Sequence, residues 1–261
     1  MSMRRIVACG GGNPTTSSLP LIEVGLDLTG ATRPNILLVP TAATTQGAHN
    51  ESVGDLNLLC AMRGLPLRVL HEFGELPTLE DTAEHLDWAD AVYVDRGNTR
   101  LMLRQWVTAG LAELFRDAVD AGEVTAIGIG AGFMPWFSEG FSDANSFDVP
   151  EGTSWTYTGI DCLGNFDAVG CPHYNGQHPL TGELRSMLFQ RYLRSQPLGT
   201  IGVGADESIA LCVEGDIVTA LWNGTPGMLH RMKVVAPGII EVGALLPNES
   251  APVAEFFDIA H

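Results

Sequence analysis

The chain has 261 residues, with 14 Lys plus Arg against 31 Asp plus Glu, a formal charge of −17. A surface this acidic repels phosphate backbones and anionic lipids, which argues against nucleic-acid or membrane partners. A composition of 45% hydrophobic and 17% charged residues suits a sizeable core and excludes wholesale disorder, and no apolar run reaches the roughly 20 residues that span a bilayer.

The start, Met1 to Val7, carries Arg4 and Arg5 and lacks the apolar stretch of a secretion signal. Five scattered cysteines (Cys9, Cys60, Cys162, Cys171, Cys212) without a CxxC pair fit reduced thiols, so a cytoplasmic location is expected. Strands are predicted at Arg5–Ala8, Asn35–Val39, Leu67–Leu70, Ala91–Val94 and Val124–Gly128, each a short apolar run bounded by Gly, Pro or Asp. Helical patterns lie between them at Glu51–Arg63, Thr78–Asp87, Thr99–Ala109 and Leu111–Ala121. Gly64 ends the first, and Thr78 followed by Asp81 makes a shortened capping box for the second. Such alternation packs as a mostly parallel, doubly wound α/β sheet, with its sites at the carboxyl ends of the strands.

Beyond Gly128 the pattern changes. A short apolar helix is expected over Phe133–Phe137, then loops and hairpins over 138–175, and a helix near Leu180–Ser195. Strands follow at Thr200–Val203, Ile209–Val213, Ile217–Leu221 and Arg231–Val235, with a hairpin turn at Glu214-Gly215-Asp216. No linker or repeat divides residues 1–261, so a single domain is expected, with 247–261 as a peripheral tail.

Gly10-Gly11-Gly12 lacks the spacing and the Lys of a phosphate loop and reads as a turn where backbones approach closely. The seven histidines form no ligand set, so no metal and no cofactor are expected. Gly128-Ile129-Gly130-Ala131-Gly132, after a buried strand, has the layout of a nucleophile elbow, G-x-S-x-G, with Gly130 where the serine stands. His173 stands out within Cys171-Pro172-His173-Tyr174, in a polar loop zone.

Taken with Ile6–Gly12, Arg33–Ala42, Tyr93–Thr99 and Trp136–Asp143, these segments resemble the peptidase E family, the aspartyl dipeptidases and their cyanophycinase relatives. The resemblance runs from about Arg4 to Val235. It implies a class I glutamine amidotransferase-like fold with a C-terminal β-hairpin region. It also implies serine-type hydrolysis of short peptides through an acyl-enzyme, with His173 as the base and Asp143 as the acid that orients it. The N–H of Ala131 would help hold the oxyanion, and a second donor would come from the turn that ends at Gly97 and Asn98.

The departures carry equal weight. Gly130 offers no hydroxyl, Asp95-Arg96-Gly97 stands where the family has a run of glycines, and Phe141 replaces a polar residue. A glycine at the nucleophile position arises by natural divergence or by deliberate inactivation, and the accompanying changes favour divergence. Arg96 either pairs a ligand carboxylate or forms a local ion pair with Asp95 that closes the cleft. Asp206-Glu207 serves either the site or only its turn. A small peptide or amino-acid-like ligand is expected, and a homodimer is compatible with the sequence. Three roles follow: an inactivated peptidase, a ligand-binding pseudoenzyme, or an acid–base enzyme using His173 and Asp143 without a covalent intermediate.

Overall fold

The computed structural model describes residues 3–258. Its first half alternates strands β1 (Arg5–Cys9), β2 (Ile36–Val39), β3 (Leu67–Val69), β4 (Ala91–Val94) and β5 (Thr125–Ile129) with helices. The helices are α1 (Leu19–Asp27), α2 (Gln46–Arg63), α3 (Leu79–Trp88), α4 (Thr99–Thr108) and α5 (Leu111–Ala121). The five strands pair in parallel in the order β1-β5-β4-β2-β3. β1, β2, β4 and β5 are almost wholly buried, as a sheet covered on both faces requires. The Thr78 hydroxyl caps α3 by accepting from the Asp81 N–H, and Gly64 ends α2 at φ +65°. α2 begins five residues before the expected start, because Thr45 caps it by accepting from the Ala48 N–H. α1, with Pro20 in its first turn, is an additional helix that the sequence reading did not contain.

The second half departs further from expectation. Residues 130–133 form one 3-10 turn, and Phe137 already opens β6 (Phe137–Ser142), so no helix spans Phe133–Phe137. Within the expected loop zone lie β6, β7 (Thr158–Asp161) and β8 (Phe166–Cys171). The helix expected at Leu180–Ser195 is the shorter α6 (Arg185–Leu193). It is followed by β9 (Ile201–Ala205), β10 (Ile209–Glu214), β11 (Ile217–Trp222), β12 (Leu229–Ala236) and β13 (Ile239–Leu245). β10 and β11 form the expected hairpin and extend the first sheet through the antiparallel β1–β10 pair. The tail is docked rather than frayed as far as residue 258. β14 (Ser250–Pro252) pairs with β11, and α7 (Val253–Phe256) leads to Phe257, which stacks on Phe166 at 4.3 Å. Residues 259–261, also placed in the tail, lie outside the described residues.

The result is two sheets. Eight strands run β14-β11-β10-β1-β5-β4-β2-β3, and six run β13-β12-β9-β8-β6-β7. β8 lies parallel to β6 and β9, so the second sheet presents carboxyl ends of its own. The largest apolar core cluster joins residues of both sheets, among them Ile6, Val94, Trp136, Phe166 and Val203.

Candidate active site

Three loops at carboxyl ends of the first sheet meet two from the second. Gly10–Gly12 follows β1, Asp95–Gly97 follows β4 and Gly130 follows β5. From the other sheet, Cys171-Pro172-His173 leaves β8 and Asp206-Glu207 leaves β9. Crevices beyond the carboxyl ends of parallel strands are where α/β folds place their ligands.

Gly130 sits at φ +58°, the left-handed conformation of a sharp strand-to-helix turn. Its neighbours must be small, because a Cβ on Gly128 would lie 2.1 Å from the Gly132 carbonyl oxygen, and one on Gly132 would lie 2.0 Å from that of Val94. At Gly130 itself there is room. An ideal Cβ there would stand 3.4 Å from His173 Nε2 and 3.6 Å from Arg96 Cβ. Ala131, the next residue, is buried in the first turn of the 3-10 segment, where backbone N–H groups have no intrahelical acceptor.

His173 is held in a strained backbone, φ +52°, that few side-chain-bearing residues adopt. Its N–H donates to the Gly10 carbonyl at 2.7 Å, and its own carbonyl accepts from the Gly176 N–H at 2.8 Å. Its Nδ1 lies 3.1 Å from Glu207 Oε1. With Nδ1–H donating to that carboxylate, Nε2 carries the lone pair and faces the Gly130 position. The hydrogen bond from His173 holds the Glu207 carboxyl below its ordinary range, outweighing its partial desolvation. Gly11 is small for this pair's sake: a Cβ there would come within 2.6 Å of His173 Nδ1.

The carboxylate within hydrogen-bond reach of the imidazole is Glu207, and Asp143, expected there, makes no hydrogen bond to His173 among the described residues. The physical reason is the pairing of the two loops. The Tyr174 N–H donates to the Ala205 carbonyl at 3.0 Å and the Glu207 N–H to Asn175 Oδ1 at 3.1 Å, so the chain after β8 runs beside the chain after β9. Asp143 instead follows β6 and precedes a 3-10 turn, where its charge acts on Arg185, Tyr157 and Cys171. The acidic Asp206-Glu207 pair was the available signal, and nothing in sequence distance alone ties it to His173.

In the β4–α4 turn the carboxylates that pair with Arg96 come from α2. The Arg96 guanidinium pairs with Glu51 at 2.8 Å and Asp55 at 3.0 Å, both on α2, and its Nη1 is buried without a hydrogen-bond partner among the described residues. Asp95 is buried beneath, accepting from the Ser52 hydroxyl. Burial pushes its carboxyl above the usual range, opposed by the Ser52 hydroxyl and by the Arg96 backbone and charge. Gly97, at φ +139°, touches the Ala42 carbonyl so closely that no Cβ fits. The Asn98 side chain is spent on the Leu101 N–H as the cap of α4, and its own N–H donates to Ala42 at 2.8 Å.

The hydroxyls near the elbow in sequence are engaged elsewhere. The Ser138 hydroxyl donates to the Ala168 carbonyl, that of Ser142 accepts from the Ala144 N–H, and Thr99 is buried against Met134. Burial pushes the Cys171 thiol up to about 11, which removes the thiolate at neutral pH. Cys162 is likewise raised by burial. Phe133, Trp136 and Phe137 are core residues, fully buried. Among the described residues no three His, Cys, Asp or Glu side chains group as metal ligands, and no helix is long and apolar enough to cross a membrane.

The scaffold thus sets a strand-to-helix elbow opposite a histidine–carboxylate pair. The sequence profile of peptidase family S51 matches residues 6–221, and the chain belongs to that family. It is 28% identical over 211 residues to the uncharacterized peptidase YgaJ of Bacillus subtilis (strain 168), covering 80% of this chain and 83% of that one. The crystal structure of a peptidase from an acI-B1 Actinobacterium superposes over 96% of this chain and 97% of its own, with a TM-score of 0.66 at 17% identity. A candidate peptidase E protein from Listeria monocytogenes EGD-e superposes over 84% and 98%, with a TM-score of 0.58 at 18% identity.

Proposed function

We propose that this chain is a serine-peptidase scaffold that binds short peptides or amino-acid-like ligands in the Gly130–His173 cleft without forming an acyl-enzyme. One observation carries the reading: the backbone at Gly130 has the elbow conformation, and a Cβ there would stand 3.4 Å from His173 Nε2. In a triad of this kind a hydroxyl on that carbon attacks a carbonyl while the imidazole takes its proton. Here His173 is the base and Glu207 fixes its tautomer, and the N–H groups of Ala131 and Gly97 are the oxyanion donors. The atom that would form the covalent bond is missing. Losing a triad nucleophile costs about a millionfold in kcat where it has been measured. The five free cysteines, four of them buried, suit a reducing compartment such as the cytoplasm.

The test is thermal melting with a panel of short peptides, Asp-initiated dipeptides included, alongside mass spectrometry of the same mixtures. Ligands at 100 times Kd should stabilise the fold by about 2.7 kcal/mol with no products formed. Cleavage by the unaltered chain, or no stabilisation by any peptide, overturns the reading. The intact His173–Glu207 pair supports a second reading, in which the imidazole acts as general base without a covalent step. A bell-shaped pH–rate profile that vanishes in His173→Ala would favour it.

A further inference from the structure

Apart from the Gly130–His173 cleft, the fold opens a concavity of about 520 Å³ between the loop carrying Trp155 and Tyr157 and residues of α6. That volume lies within the range of pockets that bury small ligands. Its walls are rings. Trp155 packs over His178 at 4.2 Å and edge-on to Tyr157 at 5.0 Å, and Phe141 stacks on Tyr157 at 5.1 Å and leans on Tyr192 at 5.1 Å. Leu188 of α6 adds aliphatic surface to the lining.

Several polar atoms of the wall are already engaged, while Ser154 and Thr156 add further polar groups to it. His178 Nε2 lies 3.3 Å from the Trp155 carbonyl, and Nδ1 accepts from the N–H groups of Leu180 and Thr181. The Tyr192 hydroxyl donates to Glu139. Charge is confined to the rim, where Arg191 and Glu183 pair with each other. The cavity therefore offers ring faces and aliphatic surface beside a few hydroxyls, a lining that favours a flat, largely apolar occupant. Phe141, one of the departures noted in the sequence, is part of that wall.

The cavity is tied to the cleft by backbone. His173 and His178 are five residues apart, a span of at most about 17 Å fully extended. The turn between them is folded, since Gly176 donates to His173 and Arg185 donates to Gly176, each at 2.8 Å. A peptide of four or five residues, at about 3.3 Å per residue, covers about 13 to 17 Å and so reaches across that folded span.

We propose that this cavity receives an aromatic side chain of the peptide held in the Gly130–His173 cleft, which makes the ligand class short peptides containing Phe, Tyr or Trp. This inference rests on the peptide-binding reading above. The test uses isothermal titration of the unaltered chain with Ala-Ala-Phe-Ala, Ala-Ala-Trp-Ala and Ala-Ala-Ala-Ala. The same titrations are repeated with Leu188→Trp, which fills the cavity, and with Trp155→Ala, which strips a wall from an outer loop. Aromatic peptides should bind about tenfold or more tightly than the alanine peptide. Both variants should erase that preference, so a failure of Leu188→Trp to fold leaves Trp155→Ala to decide. Affinities equal within about twofold, or a preference that survives Trp155→Ala, overturn the proposal.

Cleavage assays with Gly130→Ser separate the two readings. Cleavage of all three peptides alike would overturn the aromatic pocket and leave the peptidase scaffold standing. Aromatic-selective binding without cleavage would support the pocket and remove the triad reading.

Discussion

Placing a hydroxyl on the elbow is the most informative perturbation, because its structural cost and its chemical gain can be separated. At φ +58° a residue with a side chain costs about 1–2 kcal/mol relative to glycine. No clash adds to this, since the closest atoms to an ideal Cβ are 3.4 and 3.6 Å away. Gly130→Ala and Gly130→Ser should therefore lose the same stability, about 2–8 °C in Tm for a chain of this size. Only the serine gains chemistry. Its Oγ, one bond beyond that Cβ, falls within the hydrogen-bond reach of His173 Nε2 that a base requires. Hydrolysis of a suitable short peptide should rise by about 10⁴ to 10⁶ over the unaltered chain, and His173→Ala in the serine background should abolish the gain. Calorimetry supplies the first number, and mass-spectrometric product formation over a peptide panel the second. A folded Gly130→Ser protein that cleaves none of the panel refutes the elbow assignment. A Gly130→Ala protein as stable as the original refutes the strain argument.

In the Gly130→Ser background, Glu207→Gln should lower kcat about 10⁴-fold by loosening the imidazole's tautomer, whereas Asp143→Asn should cost less than tenfold, and kinetics of the two variants will rank them. Because the His173 hydrogen bond lowers the Glu207 pKa in the folded state, its stabilisation is present above the ordinary carboxylate range and lost as pH falls through the folded value. Urea melts from pH 7 to pH 3 should show that acid-side loss, reduced in Glu207→Gln. Asp95 has the opposite sign: its folded pKa is raised by burial, so its contribution is full below the ordinary carboxylate value and is lost as pH rises through the folded one. Asp95→Asn should flatten that part of the stability profile, measured by the same melts between pH 4 and pH 8.

The parallel half of the fold was legible because each of its strands is a short apolar run closed by a turn residue. Ala91–Val94 and Leu111–Ala121 end where the residue pattern ends. Beyond Gly128 local pattern and tertiary structure part company. Residues 138–142, with Ser, Glu and Gly among them, read only as part of a zone of loops and hairpins, yet they form β6 because β7 and β8 supply its partners. The short helix expected at Phe133–Phe137 is cut off by the demand that Phe137 enter the second sheet. The elbow and His173 were readable from local motif. The acid was not, because which carboxylate meets an imidazole depends on which two loops run side by side. Asp143 lies 30 residues before His173 and Glu207 34 after it, so separation along the chain does not discriminate. The pairing of Tyr174 with Ala205 does.

The rim at Arg96 closes the argument about ligand charge. Arg96 spends its Nη2 on both Glu51 and Asp55, and its Nη1, without a hydrogen-bond partner among the described residues, is buried and so closed to a ligand carboxylate. With Asp95 buried below and Glu207 across the cleft, carboxylates outnumber cations around the Gly130 position. A ligand carboxylate would have to displace two resident ones whose loss it only partly replaces. Arg96→Ala should therefore cost stability, about 1–3 kcal/mol, between the values for exposed and buried ion pairs because the side chain is one-third exposed. It should leave the affinity for acidic peptides within about twofold. Denaturant melts and titration with an acidic and a neutral peptide of equal length check both numbers. A tenfold loss of affinity confined to the acidic peptide would mean that Arg96 releases α2 to bind ligand, and that the α2 pairing is a resting state of the cleft.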